Sequence, residues 1–455
     1  MKNPPIAAIS TAQGQGGIGV IRISGEEAVT VADKVFVCAS GKRLADLKGY
    51  NAAFGYVEKN GEKIDEAVAL VFLAPHSYTG ENVVEISCHG GLFITKEVLR
   101  TVIEAGAKPA QAGEFTKRAF LNGKIDLSEA ESVMDIIGAK NTAAARAALV
   151  NKEGILSKKI NGIKEELIDK AAHLAAWADY PEEDIPEISY NQLMEAVEHC
   201  LNELNSLLDS YDAGQVIKEG IDTVIAGKPN VGKSTLMNLL TGTQKSIVTE
   251  IPGTTRDIIE ETVTLGNVVL RLSDTAGIRN TDNKVEKIGV EKAIQRLKTC
   301  GLVLAVFDSS MPLEKEDYKL IEDIKNVPSV AVINKSDLEK KIDSDYIEKN
   351  AENVVYISAG NASGLQELES VIEKITGTNS FDPSQGVLSN ERQRNSAFLA
   401  KKALEEAKNA LEIGMTFDAV TISIEEAISE LLELTGKKVS DEIVDKVFHN
   451  FCVGK

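Results

Sequence analysis

"TVIAGKPNVGKSTLMNLL", residues 223–240, decides the fold of the central part of this chain. A short β-type run enters a glycine-rich turn, and a helical pattern follows. The turn fits G-x-x-x-x-G-K-[ST] from Gly227 to Ser234, in the strand–loop–helix setting this motif requires. There, main-chain N–H groups point inward and the next helix presents its positive end, so the loop suits phosphate. Lys233 is placed for the β- and γ-phosphates, and the Ser234 hydroxyl for Mg²⁺. A glycine turn that happens to contain a lysine is the plain alternative. Eight matching positions between a strand and a helix argue against it.

Further strand-like runs continue the pattern: "LRLSD", "LVLAVFD", "SVAVIN" and "VVYIS" alternate with helical stretches. This predicts a doubly wound α/β sheet over 216–378. Short motifs stand at the strand ends. "DTAG" (Asp274, Thr275, Ala276, Gly277) supplies a carboxylate for the magnesium shell and a glycine amide for the γ-phosphate. "NKSD" brings Asn334, Lys335 and Asp337; the Asp337 carboxylate can accept from guanine N1–H and the 2-amino group, a donor pair adenine lacks. "ISAG" offers main-chain amides at Ser358, Ala359 and Gly360 for the guanine carbonyl. "TEIPGTTRD" (249–257) contains Thr255, a second hydroxyl for Mg²⁺, and Arg256, which reads as a switch-loop ion-pair residue. In this order the motifs resemble the five of translation-factor-type GTPases. Ras-like enzymes carry a water-orienting glutamine after the "DTAG" turn. Here that residue is Ile278, whose side chain cannot hydrogen-bond.

A chain of 455 residues predicts two to four domains. Residues 1–121 mix β-type runs ("VIRIS", "AVALVF", "NVVEIS") with a helix near 92–105, an α+β texture. Residues 122–215 are helical, with a stripe through Leu193, Val197, Leu201, Leu204 and Leu208. "PEEDIPE" (181–187) reads as a loop. Helical texture returns after "FDPSQG" (381–386) and fills 379–455, so the α/β block reads as an insertion into a helical domain. "GQGGIG" (14–19) precedes a strand, whereas a dinucleotide fingerprint must open a helix; it reads as a turn between strands. The net charge of −19 argues against a surface basic all over. Five scattered cysteines without C-x-x-C signal neither zinc nor a disulfide framework. The N-terminus lacks the pattern of a signal or transit peptide, and no apolar run has the length of a membrane span.

Asn230 in the phosphate loop, "PGTTRD", the apolar residue after "DTAG", "VEKIGVEKA" and the final "FCVGK" together resemble the bacterial tRNA-modification GTPase family MnmE, also called TrmE. "GGIGVIRISG", "SYTGENVVEISCHGG" and "GEFTKRAFLNGKIDLSEAE" carry the resemblance through the N-terminal part. It implies a Ras-like doubly wound α/β G domain inserted in an all-helical domain, and an N-terminal α+β domain that binds tetrahydrofolate and forms a homodimer. It implies a cytoplasmic enzyme that, with the FAD- and NADH-using partner MnmG, modifies carbon 5 of the wobble uridine of tRNA. The group added is of aminomethyl or carboxymethylaminomethyl type, its carbon drawn from a 5-formyl- or methylene-tetrahydrofolate. K⁺ takes the place of an arginine finger, held by the Asn230 side chain and by Thr249, Ile251 and Thr254 of a loop over 249–254. The nucleotide contacts implied run through Asn230, Val231, Gly232, Lys233, Ser234 and Thr235, and through Thr249, Glu250, Ile251, Pro252, Gly253, Thr254 and Thr255. Glu286 is implied as the residue that orients water; without the family it reads as an exposed helix acid. Arg22, Glu85, Lys124 and Lys455 are implied for folate, where surface ion pairs and a frayed terminus are the plain alternatives. Cys452 is implied as catalytic, against a packing thiol. His89 reads as structural. The competing class is a GTP-regulated assembly or binding factor without one-carbon chemistry.

Overall fold

The structure, a computed structural model, describes residues 4–179, 189–243, 261–272 and 301–455. By internal contacts the chain divides into two units, Met1–Met134 with Ile428–Lys455, and Asp135–Ala427.

The first unit holds β1 (Ile6–Ile9), β2 (Ile18–Ser24), β3 (Phe36–Cys38), β4 (Asn51–Lys59), β5 (Glu62–Phe72), β6 (Val83–His89) and β7 (Lys108–Pro109). They form one sheet in the order β3-β4-β5-β6-β2-β1-β7. Alternation along β2 and β6 sorts their side chains to two faces. Ile21, Ile23, Val84 and Ile86 join a buried cluster with α1 (Ala28–Asp33) and α2 (Leu92–Glu104). Arg22 and Glu85 lie at the intervening positions, directly opposite each other in the β2–β6 register, and therefore project from the other face. The "GQGGIG" stretch joins β1 to its antiparallel neighbour β2. Of its four glycines only Gly19 serves close approach: a Cβ there would lie 2.2 Å from Thr95 Cγ2, while Gly14, Gly16 and Gly17 have open space around them. Also in this unit are α3 (Glu114–Leu121) and the start of α4 (Leu127–Gly138).

The second unit contains α5 (Thr142–Lys152), α6 (Ile155–Asp179), α7 (Tyr190–Asp209) and α8 (Tyr211–Glu219), followed by a six-stranded sheet. Its strands are β8 (Ile221–Ala226), β9 (Glu261–Leu265), β10 (Val268–Leu272), β11 (Leu302–Asp308), β12 (Ser329–Asn334) and β13 (Val354–Tyr356), in the order β13-β12-β11-β8-β10-β9. β9 runs antiparallel to β10; the other neighbours are parallel. In β11, Leu304 and Val306 join one buried cluster while Val303, Ala305 and Phe307 join another. Both faces of the sheet are covered, which is why this strand reads as an unbroken apolar run. The covering helices include α9 (Lys233–Thr243), α10 (Lys315–Ile324), α11 (Ser344–Asn350) and α12 (Leu365–Ile375).

Helical sequence on either side of this sheet meets in space. α13 (Glu391–Glu412) packs along α7, and the buried Asn151 side chain both donates to Val387 O (2.7 Å) and accepts from Val387 N (3.0 Å). The buried stripe of α7 runs through Leu193, Val197, Cys200, Leu204 and Leu207. The sequence suggested Leu208 as its last member; steps of three and four from Leu204 reach both residues, and the 3.6-residue period carries Leu207 to the buried face. α14 (Phe417–Thr435) and α15 (Asp441–His449) complete the chain. Within the first unit Phe448 and Phe451 pack on Leu127 and Ala130. Full burial of one such ring stabilises by about 1.5–3 kcal/mol.

Candidate functional site

The phosphate loop leaves β8 and enters α9. Its glycines are required by both backbone and space. Gly227 has φ +150°, and a Cβ there would lie 2.4 Å from Val306 O. Gly232 has φ +101°, and its Cβ would lie 2.1 Å from Asn334 Nδ2. Asn230 takes the left-handed conformation at φ 65°, as does Lys335 at φ 61°. Such residues cost on the order of 1–3 kcal/mol unless their surroundings hold them. Here the two are tied together: Lys335 Nζ donates to Asn230 O (2.9 Å) and to Asp308 Oδ2 (2.5 Å). Burial pushes the Asp308 carboxyl upward, but hydrogen bonds from Lys335 and Ser310 outweigh it and hold it below the usual carboxylate range.

Asn334 fastens the phosphate loop to the loop after β13. Its side chain is buried, donates to Val231 O (2.9 Å) and accepts from Ala359 N (3.0 Å). Ser358 Oγ donates to Asp337 Oδ1 (2.6 Å), fixing a carboxylate on the outer rim. Lys233 Nζ donates to Gly227 O (2.7 Å) and Lys228 O (2.6 Å), so its ammonium is drawn over the loop. Asn230, Ser234, Thr235, Asp337 and Gly360 are exposed, whereas Val231, Ser358 and Ala359 are buried. Lys228 pairs with Glu314 (2.8 Å) and Asp317 (2.7 Å) and so pins the loop to α10. Burial lowers the Lys228 ammonium, but the two carboxylates outweigh that and hold it above its ordinary value.

In the first unit, Arg22 Nε donates to Glu85 Oε1 (2.8 Å). The guanidinium lies over the rings of Tyr78 (5.1 Å) and Phe115 (5.6 Å). Burial raises the Tyr78 hydroxyl above its ordinary value, against a hydrogen bond with Thr116 and the nearby Arg22 charge. The last residues of the chain are docked here. Gly113 N donates to Cys452 O (3.4 Å), Val453 bridges to Ala112, and Phe115 N donates to Lys455 O (3.2 Å). Gly454 O accepts from Ser10 Oγ (3.1 Å) and Arg22 Nη1 (3.3 Å). Gly454 has φ +97°, and a Cβ there would lie 2.4 Å from Ile9 O, so only glycine allows the approach. Lys117 and Asp445 add an ion pair between α3 and α15. The structure thus brings Arg22, Glu85 and the main chain of Cys452–Lys455 to one neighbourhood. Lys124 Nζ donates to Pro75 O (3.2 Å), on the turn before Tyr78. The Cys452 side chain is exposed. The exposed His89, at the end of β6, meets through Nδ1 the Oδ1 of Asp65 (2.7 Å), whose side chain is largely covered.

Thr249, Glu250, Ile251, Pro252, Gly253, Thr254, Thr255, Arg256, Asp274, Thr275, Ala276, Gly277, Ile278 and Glu286 lie outside the described residues, as does "PEEDIPE". Asp308, Lys228, Tyr78, Phe115 and Ser10 were not singled out in the sequence. Only Asp308 carried a signal, as the acid ending the apolar run "LVLAVFD". The others act through contacts between elements far apart in the chain.

Comparison with known proteins gives matches over nearly the whole chain. The family described as GTP-binding protein TrmE N-terminus matches residues 5–124, and the MnmE helical domain matches residues 127–452. The tRNA modification GTPase MnmE of Clostridioides difficile (strain 630) is 42% identical over 453 residues, covering 99% of each chain. The protein of the same name from Alkaliphilus metalliredigens (strain QYMF) is 41% identical, again over 99% of each. Among solved structures, the G domain of the T. maritima FeoB iron transporter aligns with 34% of this chain and 98% of its own, at 30% identity and a TM-score of 0.26. Together with the phosphate loop and the docked "FCVGK" terminus, the match over nearly the full length places the chain in the tRNA modification GTPase MnmE family.

Proposed function

We propose that this member of the tRNA modification GTPase family couples K⁺-activated GTP hydrolysis to modification of the wobble uridine at carbon 5, with the FAD-dependent partner MnmG and a tetrahydrofolate one-carbon unit. The observation that carries the nucleotide part is Asn334, one buried side chain that ties Val231 of the phosphate loop to Ala359 of the base loop. It sets phosphate and base recognition in one frame. The Asp337 carboxylate, oriented by Ser358, then accepts from guanine and finds no matching donors on adenine.

The chain's own groups do the following. Main-chain amides of 230–235 and the start of α9 receive the phosphates. Lys233 leaves the loop carbonyls for the β/γ-phosphate oxygens. Ser234 and Thr255 would hold Mg²⁺, whose charge neutralises the phosphate oxygens. Asn230 would hold K⁺ with Thr249, Ile251 and Thr254. Its left-handed backbone and exposed side chain suit an oxygen donor on the loop's outer edge. When bound, K⁺ supplies positive charge against the β–γ bridge, the work a guanidinium does elsewhere. Glu286 orients the attacking water, in the absence of a glutamine after "DTAG".

Arg22 and Glu85 fit a pterin that carries a carboxylate tail. The carboxylate can pair with an amidine-like edge, the guanidinium with an anion, and Tyr78 and Phe115 offer ring faces beside them. Lys124 and Lys455 add cations, and Cys452 contributes an exposed thiol. Bound there, the folate supplies the one-carbon unit. Domains over 1–121, 122–215 with 379–455, and 216–378, a homodimer, tRNA as substrate and a cytoplasmic setting complete the reading. Among the described residues no helix is long and apolar enough to cross a membrane. The test is binding of 5-formyl-tetrahydrofolate to the full chain alongside GTP and ATP turnover. Micromolar folate binding lost in Arg22→Met, with GTP hydrolysed and ATP not, is expected. Absence of folate binding would favour an assembly factor, and equal turnover of both nucleotides would defeat the base-recognition argument.

A further inference from the structure

The helices outside the G sheet hold a group of side chains that the GTPase reading does not use. Glu166 on α6 faces His199 and Cys200 on α7, and one carboxylate oxygen, one ring nitrogen and the thiol sulfur all lie within 4.8 Å of one another. We propose that Glu166, His199 and Cys200 form a site for a thiophilic divalent cation of the zinc type, which fastens α6 to α7.

The donor set comes first. Nitrogen, sulfur and oxygen from His, Cys and a carboxylate are the ligands a borderline-soft cation takes, and hard cations such as Mg²⁺ avoid the thiol. The geometry is nearly closed. In a tetrahedral zinc site, bonds of about 2.0–2.3 Å put ligand atoms roughly 3.3–3.8 Å apart, so the group must contract by about 1 Å. Two of its members can move: the His199 side chain is 63% exposed and that of Glu166 31%. Cys200 is the fixed member, fully buried in the apolar stripe of α7. His199 Nδ1 already meets Glu166 Oε2 at 2.9 Å. The Cys200 thiol also hydrogen-bonds to the Glu166 carboxylate, so all three donor groups already converge on one point. Burial, with the Glu166 carboxylate adding to it, pushes the Cys200 thiol up to about 12. On binding, the thiol proton passes to the buffer and the thiolate becomes a ligand. Three protein ligands leave the fourth position to water, on the solvent side where His199 stands.

The test uses the full chain stripped with a chelator and titrated with Co²⁺. A thiolate-to-cobalt charge-transfer band in the near ultraviolet is expected, with intense tetrahedral bands in the visible, saturating at equimolar metal and displaced by Zn²⁺. Cys200→Ser and His199→Ala must each abolish the equimolar phase and weaken binding at least tenfold. His199 is exposed, so its variant keeps the fold even where Cys200→Ser disturbs the stripe. Zn²⁺ should also raise the melting temperature of the wild type and not that of His199→Ala. No band at equimolar Co²⁺, or a band that survives in either variant, overturns the proposal.

Discussion

Replacing Asn334 by alanine removes the tie between the two halves of the nucleotide site. The side chain is 2% exposed and makes hydrogen bonds of 2.9 Å to Val231 O and 3.0 Å from Ala359 N. Each such bond contributes about 0.5–1.5 kcal/mol net, and each buried group left without a partner costs about 1–3 kcal/mol. With one buried group unpaired at each end, the loss amounts to about 2–6 kcal/mol. If the whole effect falls on nucleotide binding, affinity for GTP drops roughly 30- to 20,000-fold. The assay is calorimetric titration of the full chain with GTP and Mg²⁺, with circular dichroism to check folding. Asn353→Ala is the control. It removes a hydrogen bond of 3.3 Å to Ser329 O in the same sheet, away from both loops, and should change affinity less than threefold. If Asn334→Ala folds and binds GTP within threefold of the wild type, the two loops do not depend on this side chain and the reasoning fails.

Gly232→Ala forces a Cβ to 2.1 Å from Asn334 Nδ2 at φ +101°, and should abolish measurable GTP binding while leaving folate binding intact. Gly454→Ala drives a Cβ to 2.4 Å from Ile9 O; the terminal segment should lift away from Arg22, lowering folate affinity about tenfold or more, in proportion to the hydrogen bonds and ordering lost. The Asp308 carboxyl titrates lower in the folded chain than in the unfolded one, so its stabilising effect is complete above about pH 4 and is lost as pH falls through the lower, folded value. Denaturant midpoints should therefore fall less steeply below pH 4 in Asp308→Asn, and an unchanged slope would contradict the Lys335 tie.

What the sequence discloses follows the range of the forces involved. The phosphate loop is legible because its chemistry sits in consecutive residues, and Gly227, Asn230, Lys233 and Ser234 fall where the motif puts them. The sheet around it is legible because parallel strands buried on both faces are unbroken apolar runs, as in "LVLAVFD". The seven-strand order of the N-terminal sheet was not legible, since register is fixed by contacts across long separations. For the same reason Arg22 and Glu85, 63 positions apart, could be grouped only through the resemblance, and their pairing emerges only in the structure. The docking of Gly454 against Ser10, 444 positions away, has no local signal in the sequence. Asn334 was read as one letter of "NKSD"; that its side chain spans two loops emerges only when β8, β12 and β13 lie side by side. The cluster of Glu166, His199 and Cys200 escaped notice because no short spacing marks it: one ligand is on α6 and two are adjacent on α7.

The most direct measurement of the central claim is the GTP hydrolysis rate of the full chain at constant ionic strength as K⁺ replaces Na⁺. The account predicts a saturable rise of at least tenfold in the wild type, with little response in Asn230→Ala although GTP still binds. Equal rates in the two salts, or an undiminished K⁺ response in Asn230→Ala, would contradict it.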